Sequence, residues 1–231
     1  MIKDRLKAFA LKHNRLLNAY RNTFGKLKTK YYFDAQKKAL QRNGNLLMQK
    51  IDSALEDKGA RFFIDCGTLL GMVRDQKLIA HDRDMDYGIY FDDKFTKEML
   101  DEAMLSIGMK KHREFYFRGR PVEVSYSNGL TNIDFFDHIE DDEFSKVYAF
   151  YRDVEKKYPS DKHYSVLEMR RKLITGISRV NISGMDVNIP ENAEEYLESA
   201  YTENWRIPDP TWSYFSEPGM HRIENEFGIK K

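Results

Sequence analysis

The sequence predicts an α+β fold: a mixed central sheet flanked by helices, with a helical extension at the N-terminus. Three observations predict it. Apolar residues recur at helical spacing through 34–58 and again through 94–107. Between these runs, 83–91 alternates with a period of two, placing Asp84, Asp86 and Gly88 on one face and Met85, Tyr87, Ile89 and Phe91 on the other. Further on, two short apolar runs flank Ser127-Asn128-Gly129, and Asn-Gly is a strong hairpin signal. The expected organisation is a basic helical extension over 1–58, packed on a core domain over 59–231 whose C-terminal segment serves the acceptor side.

The elements follow in order. Ile2, Leu6, Phe9, Leu16, Leu17 and Tyr20 make a basic amphipathic helix over 2–22, and Gly25 marks a break within 22–30. Asp34 is placed to cap a second helix that ends at Gly59. Its apolar face runs through Leu40, Leu46, Leu47, Ile51 and Leu55, and Gly44 weakens its middle. Arg61–Cys66 reads as a strand, Thr68–Arg74 as a short helix, and 76–81 as a loop. The helix over 94–107 turns Phe95, Met99, Leu100, Met104 and Leu105 inward. Arg113–Arg118, Val122–Tyr126 and Thr131–His138 form consecutive hairpins. The runs 142–157 and 163–175 read as helices, and Val180–Ile189 as a small hairpin around Ser183-Gly184. Residues 191–203 read as a helix and 205–231 as irregular, aromatic chain.

Composition bounds the function. With 41% hydrophobic and 13% aromatic residues, the chain can bury a substantial core. A net charge of +1 argues against a general nucleic-acid binder. The charge is uneven: residues 1–42 hold twelve Lys and Arg against two Asp, a local +10 that leaves −9 for the rest. Such a segment suits an anionic membrane surface, a polyanion or an acidic partner. The single cysteine, Cys66, excludes an internal disulfide and favours a reducing compartment. It reads as a small buried residue beside a turn. No apolar run approaches the length of a membrane span, and 1–17 is too interrupted by charge for a signal peptide.

The chemistry concentrates between Phe62 and Tyr90. Asp84 and Asp86 share a strand face, where their repulsion is relieved if a cation sits between them. Oxygen ligands suit Mg²⁺, and Mg²⁺ suits phosphoryl transfer. Gly67-Thr68 ends the preceding strand and opens a short helix whose first amides can receive phosphate. Asp134 lies on a later strand between Ile133 and Phe135, where an acid needs a partner or a metal. Asp137, at the end of that strand, competes for the same role. Arg74 can contact donor phosphates or form a helix-end ion pair. His81 and Asp82 are candidates beside the metal acids. Arg170, Arg171, Lys172 and Arg179 form a second basic cluster, read as a solvated face or as steering for a phosphorylated acceptor. Tyr201, Trp205, Trp212, Tyr214 and Phe215 either close the core or form a lip for a sugar ring or a choline-like headgroup.

Gly67-Thr68-Leu69-Leu70-Gly71-Met72-Val73-Arg74, followed by His81-Asp82-Arg83-Asp84-Met85-Asp86-Tyr87-Gly88, resembles the signature of the LicD-type phosphotransferases, a group related to fukutin and fukutin-related protein. Ile133-Asp134-Phe135-Phe136 is similar to that group's third-acid strand. Val187-Asn188-Ile189-Pro190 with Glu195-Tyr196-Leu197, Tyr201 and Trp205 resembles its C-terminal box. The chain departs from the pattern at Ala80-His81-Asp82-Arg83-Asp84, where Pro-Trp-Asp-Asp-Asp is usual, and at Thr202, where glycine is usual.

The resemblance implies a nucleotidyltransferase fold with Asp84, Asp86 and Asp134 as catalytic metal acids, holding two ions of Mg²⁺ or Mn²⁺. It implies Gly67, Thr68, Arg74, His81 and Asp82 as substrate-binding residues, and Asp134 as the base. The implied reaction transfers phosphocholine or a polyol phosphate from a CDP-linked donor to a sugar hydroxyl of a cell-surface glycan or its lipid-linked precursor. The expected location is the cytoplasm, peripheral at the inner membrane face, where the basic helix meets anionic lipid or a partner enzyme. Two alternatives stand beside it: a nucleotidylyltransferase moving NMP from an NTP to a small molecule, protein or RNA, and a non-catalytic binding module of a glycan-assembly complex.

Overall fold

The computed structural model describes residues 26–231, with side chains from 29 onward. The basic helix expected over 2–22 lies outside the described residues. The first described element is helix α1, Lys26–Glu56. It passes through Lys30 and Asp34 without interruption, so the break does not extend to Lys30 and Asp34 is not a cap. Helix α1 is also continuous at Gly44, where a Cβ would lie 2.4 Å from Leu78 Cδ1. The glycine admits the loop that precedes the acidic strand. Leu46 stands exposed, while Leu40, Met48, Ile51 and Leu55 are buried.

Strand β1, Phe62–Ile64, leads into helix α2, Cys66–Asp75, and strand β2, Asp84–Ile89. Helix α3, Lys97–Ser106, is capped by Thr96 and leaves Leu105 in solvent. Strands β3 (Lys110–Phe117), β4 (Arg120–Ser127) and β5 (Asn132–Asp137) form the expected meander. Strands β6 (Ile139–Glu140), β7 (Phe144–Tyr151) and β8 (His163–Lys172) follow, then the hairpin β9 (Ile177–Ile182) and β10 (Met185–Pro190). Helix α4, Ala193–Tyr201, a 3-10 turn at Tyr214–Ser216 and strand β11, Met220–Lys230, complete the chain.

Nine strands join in the order β1-β2-β5-β4-β3-β11-β8-β7-β6. Among the described strands β2 and β5 make the one parallel pair, so the sheet is mixed as expected. Buried side chains of α1, α2, α3, α4 and the β9–β10 hairpin share one apolar core with β1, β2, β4 and β5. This core lies under the acidic end of the sheet. Among the described residues, no helix is long and apolar enough to cross a membrane.

Three regions correct the sequence reading. Residues 144–151 and 163–172 are strands, not helices. Strand β8 carries Leu, Glu, Met, Arg and Lys, all good helix formers, and is buried on both faces at its centre, which erases the period-two signal. Pairing with β7 and β11 overrides local propensity there. Residues 220–230 are an eleven-residue strand rather than irregular chain. A bulge between Ile223 and Gly228, with Asn225 at φ +62°, shifts its alternation halfway along.

Candidate active site

The acids meet by strand register. Asp86 on β2 pairs with Asp134 on β5, Asp134 with Ser125 on β4, and Ser125 with Arg113 on β3. Register partners project to the same side of a sheet, so these four residues form a row across four strands. One step along, Asp84 pairs with Asn132 and Asn132 with Ser127, making a second row on the same face. Asp84, Asp86 and Asp134 are each half-buried: set into the sheet yet reachable from solvent.

The turn before α2 is built around Asp65, a residue the sequence reading passed over. Its carboxylate accepts the Cys66 N–H at 2.7 Å and caps the helix. Its own N–H donates to the Asp86 carbonyl at 2.9 Å. Cys66 takes a positive φ of 45°, a strained conformation for a non-glycine residue. Thr68 is buried, and its Oγ1 accepts the Asp86 N–H at 2.9 Å. The threonine side chain thus fixes the strand that carries the acids. A Cβ at Gly67 would lie 2.9 Å from Asp82 Oδ2 and 3.6 Å from Asp86 Oδ2, so glycine lets both carboxylates approach the helix N-terminus.

An ion network clamps this turn from behind. Arg171, 3% exposed, donates from Nη1 to both Asp65 oxygens, at 3.2 and 3.1 Å, and to Tyr196 Oη at 2.8 Å. Its Nε and Nη2 donate to Glu217 at 2.8 and 3.2 Å. His138 Nε2 lies 3.1 Å from Asp65 Oδ2. Burial opposes the Asp65 charge, but Arg171 and His138 outweigh it and hold the carboxyl well below the usual range. Arg171 is therefore a buried strut, not part of a solvated basic face. Cys66 lies against the same guanidinium, and burial pushes its thiol up, away from nucleophilic use.

Electrostatics at the acid row runs the other way. Burial, then Asp84, Asp134, Asp65 and Asp82, push the Asp86 carboxyl well above the usual range. Asp84 is raised by burial and by Asp134, with Arg83 opposing. Asp82 is raised to about 6, mainly by burial. Arg113 approaches the row from β3: its Nη2 lies 2.6 Å from Glu123 Oε1 and 3.5 Å from Asp134 Oδ2. Arg113 Nε and Ser125 Oγ are buried without hydrogen-bond partners among the described residues. Sequence reasoning missed Arg113; its only signal was its place in the strand of the first hairpin.

The other candidates are placed as follows. Asp137 is spent on structure: it is paired to Arg120 and accepts the Phe91 N–H at 3.0 Å, which leaves Asp134 as the acid facing the row. Arg74 forms a fork with Asp75, from Nε at 3.0 Å and Nη2 at 2.8 Å. His81 is exposed, 3.8 Å from Asp82. Trp205 is buried in the core, and Tyr201 packs on Trp212 with ring centres 4.5 Å apart. The acids of the row offer only oxygen, a hard set that suits a divalent cation. Among the described residues no three metal-binding side chains converge on one point as they stand. The unbalanced acids of the row nonetheless fit a cation by charge and by chemistry.

Residues 59–192 match a sequence profile described as LicD/FKTN/FKRP, nucleotidyltransferase domain. The chain belongs to this family. It is 23% identical over 182 residues to the human ribitol-5-phosphate transferase FKTN, covering 78% of this chain and 37% of that protein. An uncharacterized protein of Rickettsia typhi is 30% identical over 143 residues, covering 62% of this chain and 41% of that one. The chain thus spans well under half the length of these relatives. Among solved structures, the antibiotic-resistance factor ANT(2'')-Ia in solution aligns with a TM-score of 0.44 at 15% identity, over 75% of this chain and 78% of that one.

Proposed function

We propose that this protein is a metal-dependent transferase that moves a phospho-alcohol group from a CDP-linked donor to a sugar hydroxyl of a cell-surface glycan or its precursor. The observation that carries the reading is the row of Asp86 and Asp134, with Asp84 beside it, opening next to the Gly67 turn. The relative named as a ribitol-5-phosphate transferase favours a polyol phosphate over phosphocholine. Asp84, Asp86 and Asp134 would hold Mg²⁺ or Mn²⁺. When bound, such ions neutralise a donor diphosphate and lower the pKa of an acceptor hydroxyl.

The remaining steps belong to the chain. The first amides of α2, bared by Gly67, receive donor phosphate oxygens. Thr68 and the capped turn hold Asp86 in place through its backbone. Asp134 takes the proton of the acceptor hydroxyl as its oxygen bonds to the phosphorus nearest the alcohol. The bond from that phosphorus to the bridging oxygen breaks, and CMP leaves with the bonding pair. Arg113, at the far side of Asp134, offers positive charge to the phosphoryl group in transit.

A donor panel tests this. Purified protein is incubated with CDP-ribitol, CDP-glycerol, CDP-choline or each common NTP, with Mg²⁺ or EDTA, and bound or hydrolysed donor is followed by ³¹P NMR. Metal-dependent binding of a CDP-alcohol, with CMP as the slow hydrolysis product, is expected. Use of NTPs alone, with pyrophosphate release, overturns the reading in favour of nucleotidyl transfer.

A further inference from the structure

Beside Asp84 lies a cleft of about 500 Å³, whose lining does not include Gly67. That volume falls in the range of small-molecule sites, about 300–1,000 Å³. Its floor is the second row of the sheet, Asp84 and Asn132 with Ser127. One wall is the start of α1, where Tyr32 and Phe33 stand partly exposed with ring centres 6.3 Å apart. Tyr32 Oη donates to the Gly129 carbonyl at 3.4 Å and ties this wall to the β4–β5 turn. The opposite wall carries Lys110 and Lys111.

The charges of the cleft are not all alike. Lys111 is committed to Asp101 at 2.7 Å and Glu114 at 3.0 Å. Arg83 instead lies over the Phe33 ring, 4.1 Å from its centre. Among the described residues, neither Arg83 nor Lys110 has an ion-pair partner. An arginine held over an aromatic face still has N–H donors to offer an oxyanion. Two such cations repel a quaternary ammonium. An exposed aromatic pair offers faces for a sugar ring.

We propose that this cleft is the acceptor site, and that it takes a sugar ring bearing a phosphate or carboxylate group. The ring packs on Tyr32 and Phe33, the anionic group sits between Arg83 and Lys110, and a hydroxyl points along the floor past Asp84 towards Asp134. The assignment rests on the transferase reading, in which the Gly67 side is taken by the donor. It also gives Arg83 a role: in place of an acid beside the metal ligands, the chain carries an anion receptor.

The test separates the two readings. Probe binding to the full chain is measured by saturation-transfer NMR and titration for hexose 1- and 6-phosphates, uronic acids, the parent neutral hexoses and inorganic phosphate. Wild type, Arg83→Gln and Phe33→Ala are compared, and CDP with Mg²⁺ is titrated in parallel. At least one anionic sugar is expected to bind wild type, with tenfold or greater loss in each variant and unchanged CDP affinity in Phe33→Ala. Equal affinity for neutral hexoses, equal affinity for inorganic phosphate, no effect of either variant, or no anionic sugar bound by wild type overturns the acceptor assignment. Failure of CDP and Mg²⁺ to bind wild type overturns the transferase reading instead. Circular dichroism of each variant guards against a folding defect, and Arg83→Lys, which keeps charge but loses the stack, is expected to recover part of the affinity.

Discussion

Asp86 and Asp134 are register partners across the one parallel strand pair described in the sheet, so two carboxylates are fixed side by side by backbone hydrogen bonds. Among the described residues neither has a cation able to neutralise the pair; Arg113 reaches only Asp134, at 3.5 Å, and is shared with Glu123. The sheet holds the acids in a conformation that their own charges oppose.

That opposition predicts a stability signature. Without metal, Asp86→Asn is expected to stabilise the fold by about 1–2 kcal/mol, since it removes a buried charge among like charges. For a domain of this size that is about 4 °C in Tm. The same variant is expected to lose the Mg²⁺-dependent rise in Tm that wild type shows, together with transferase activity. Melts by differential scanning fluorimetry in EDTA and in Mg²⁺ check both signs. An equal Mg²⁺ response in wild type and variant would count against the acid row as the ion site.

Arg113 can be separated into structural and chemical parts. Glu123 is 5% exposed and raised to about 7, chiefly by burial, with Arg113 as its one close partner among the described residues. Arg113→Gln is expected to cost about 1–2 kcal/mol, less than the penalty for a fully buried pair because the Arg113 side chain is partly exposed. The double variant Arg113→Gln with Glu123→Gln is expected to regain most of that in urea melts. Activity is expected to stay at least tenfold down in both, because Asp134 still lacks its guanidinium. Recovery of kcat in the double variant would reduce Arg113 to a structural role.

Asp52 predicts a pH dependence remote from the site. Tyr87 Oη donates to its Oδ1 at 3.0 Å, its Oδ2 has no partner among the described residues, and burial raises it to about 7. A carboxyl whose folded pKa exceeds its unfolded value takes up a proton on folding. Its contribution is therefore greatest below about pH 4, is lost as pH rises towards 7, and is level above that. The change across this window is on the order of 4 kcal/mol. Asp52→Asn keeps the acceptor for Tyr87 and is expected to flatten this slope in denaturant titrations at pH 5 and pH 8. It should be the more stable protein at pH 8.

Thr202 ends helix α4 at φ +79°, a region that suits glycine and strains a β-branched residue. Thr202→Gly is expected to stabilise the chain by about 1 kcal/mol, read as a higher urea midpoint at unchanged slope.

Much of the site was legible because its signals are local. A period of two put Asp84 and Asp86 on one face, and apolar flanks marked Asp134 as an acid in need of a partner. The octet at Gly67 carried the family. The capping role of Asp65 has no such mark: its partner Arg171 lies 106 residues away on a strand that reads as a helix.

By itself the sequence determined the candidate acids, the turn beside them and the family, because each is carried by residues close together in the chain. Only the tertiary structure decided which side chains join them. Strand order brought Arg113 and Ser125 into the row of Asp134, turned the helix-prone residues of β8 into a buried strut, and set Phe33 under Arg83. The reason is physical: sheet register and the pairing of buried charges are set by contacts between distant segments, and local propensity yields to them.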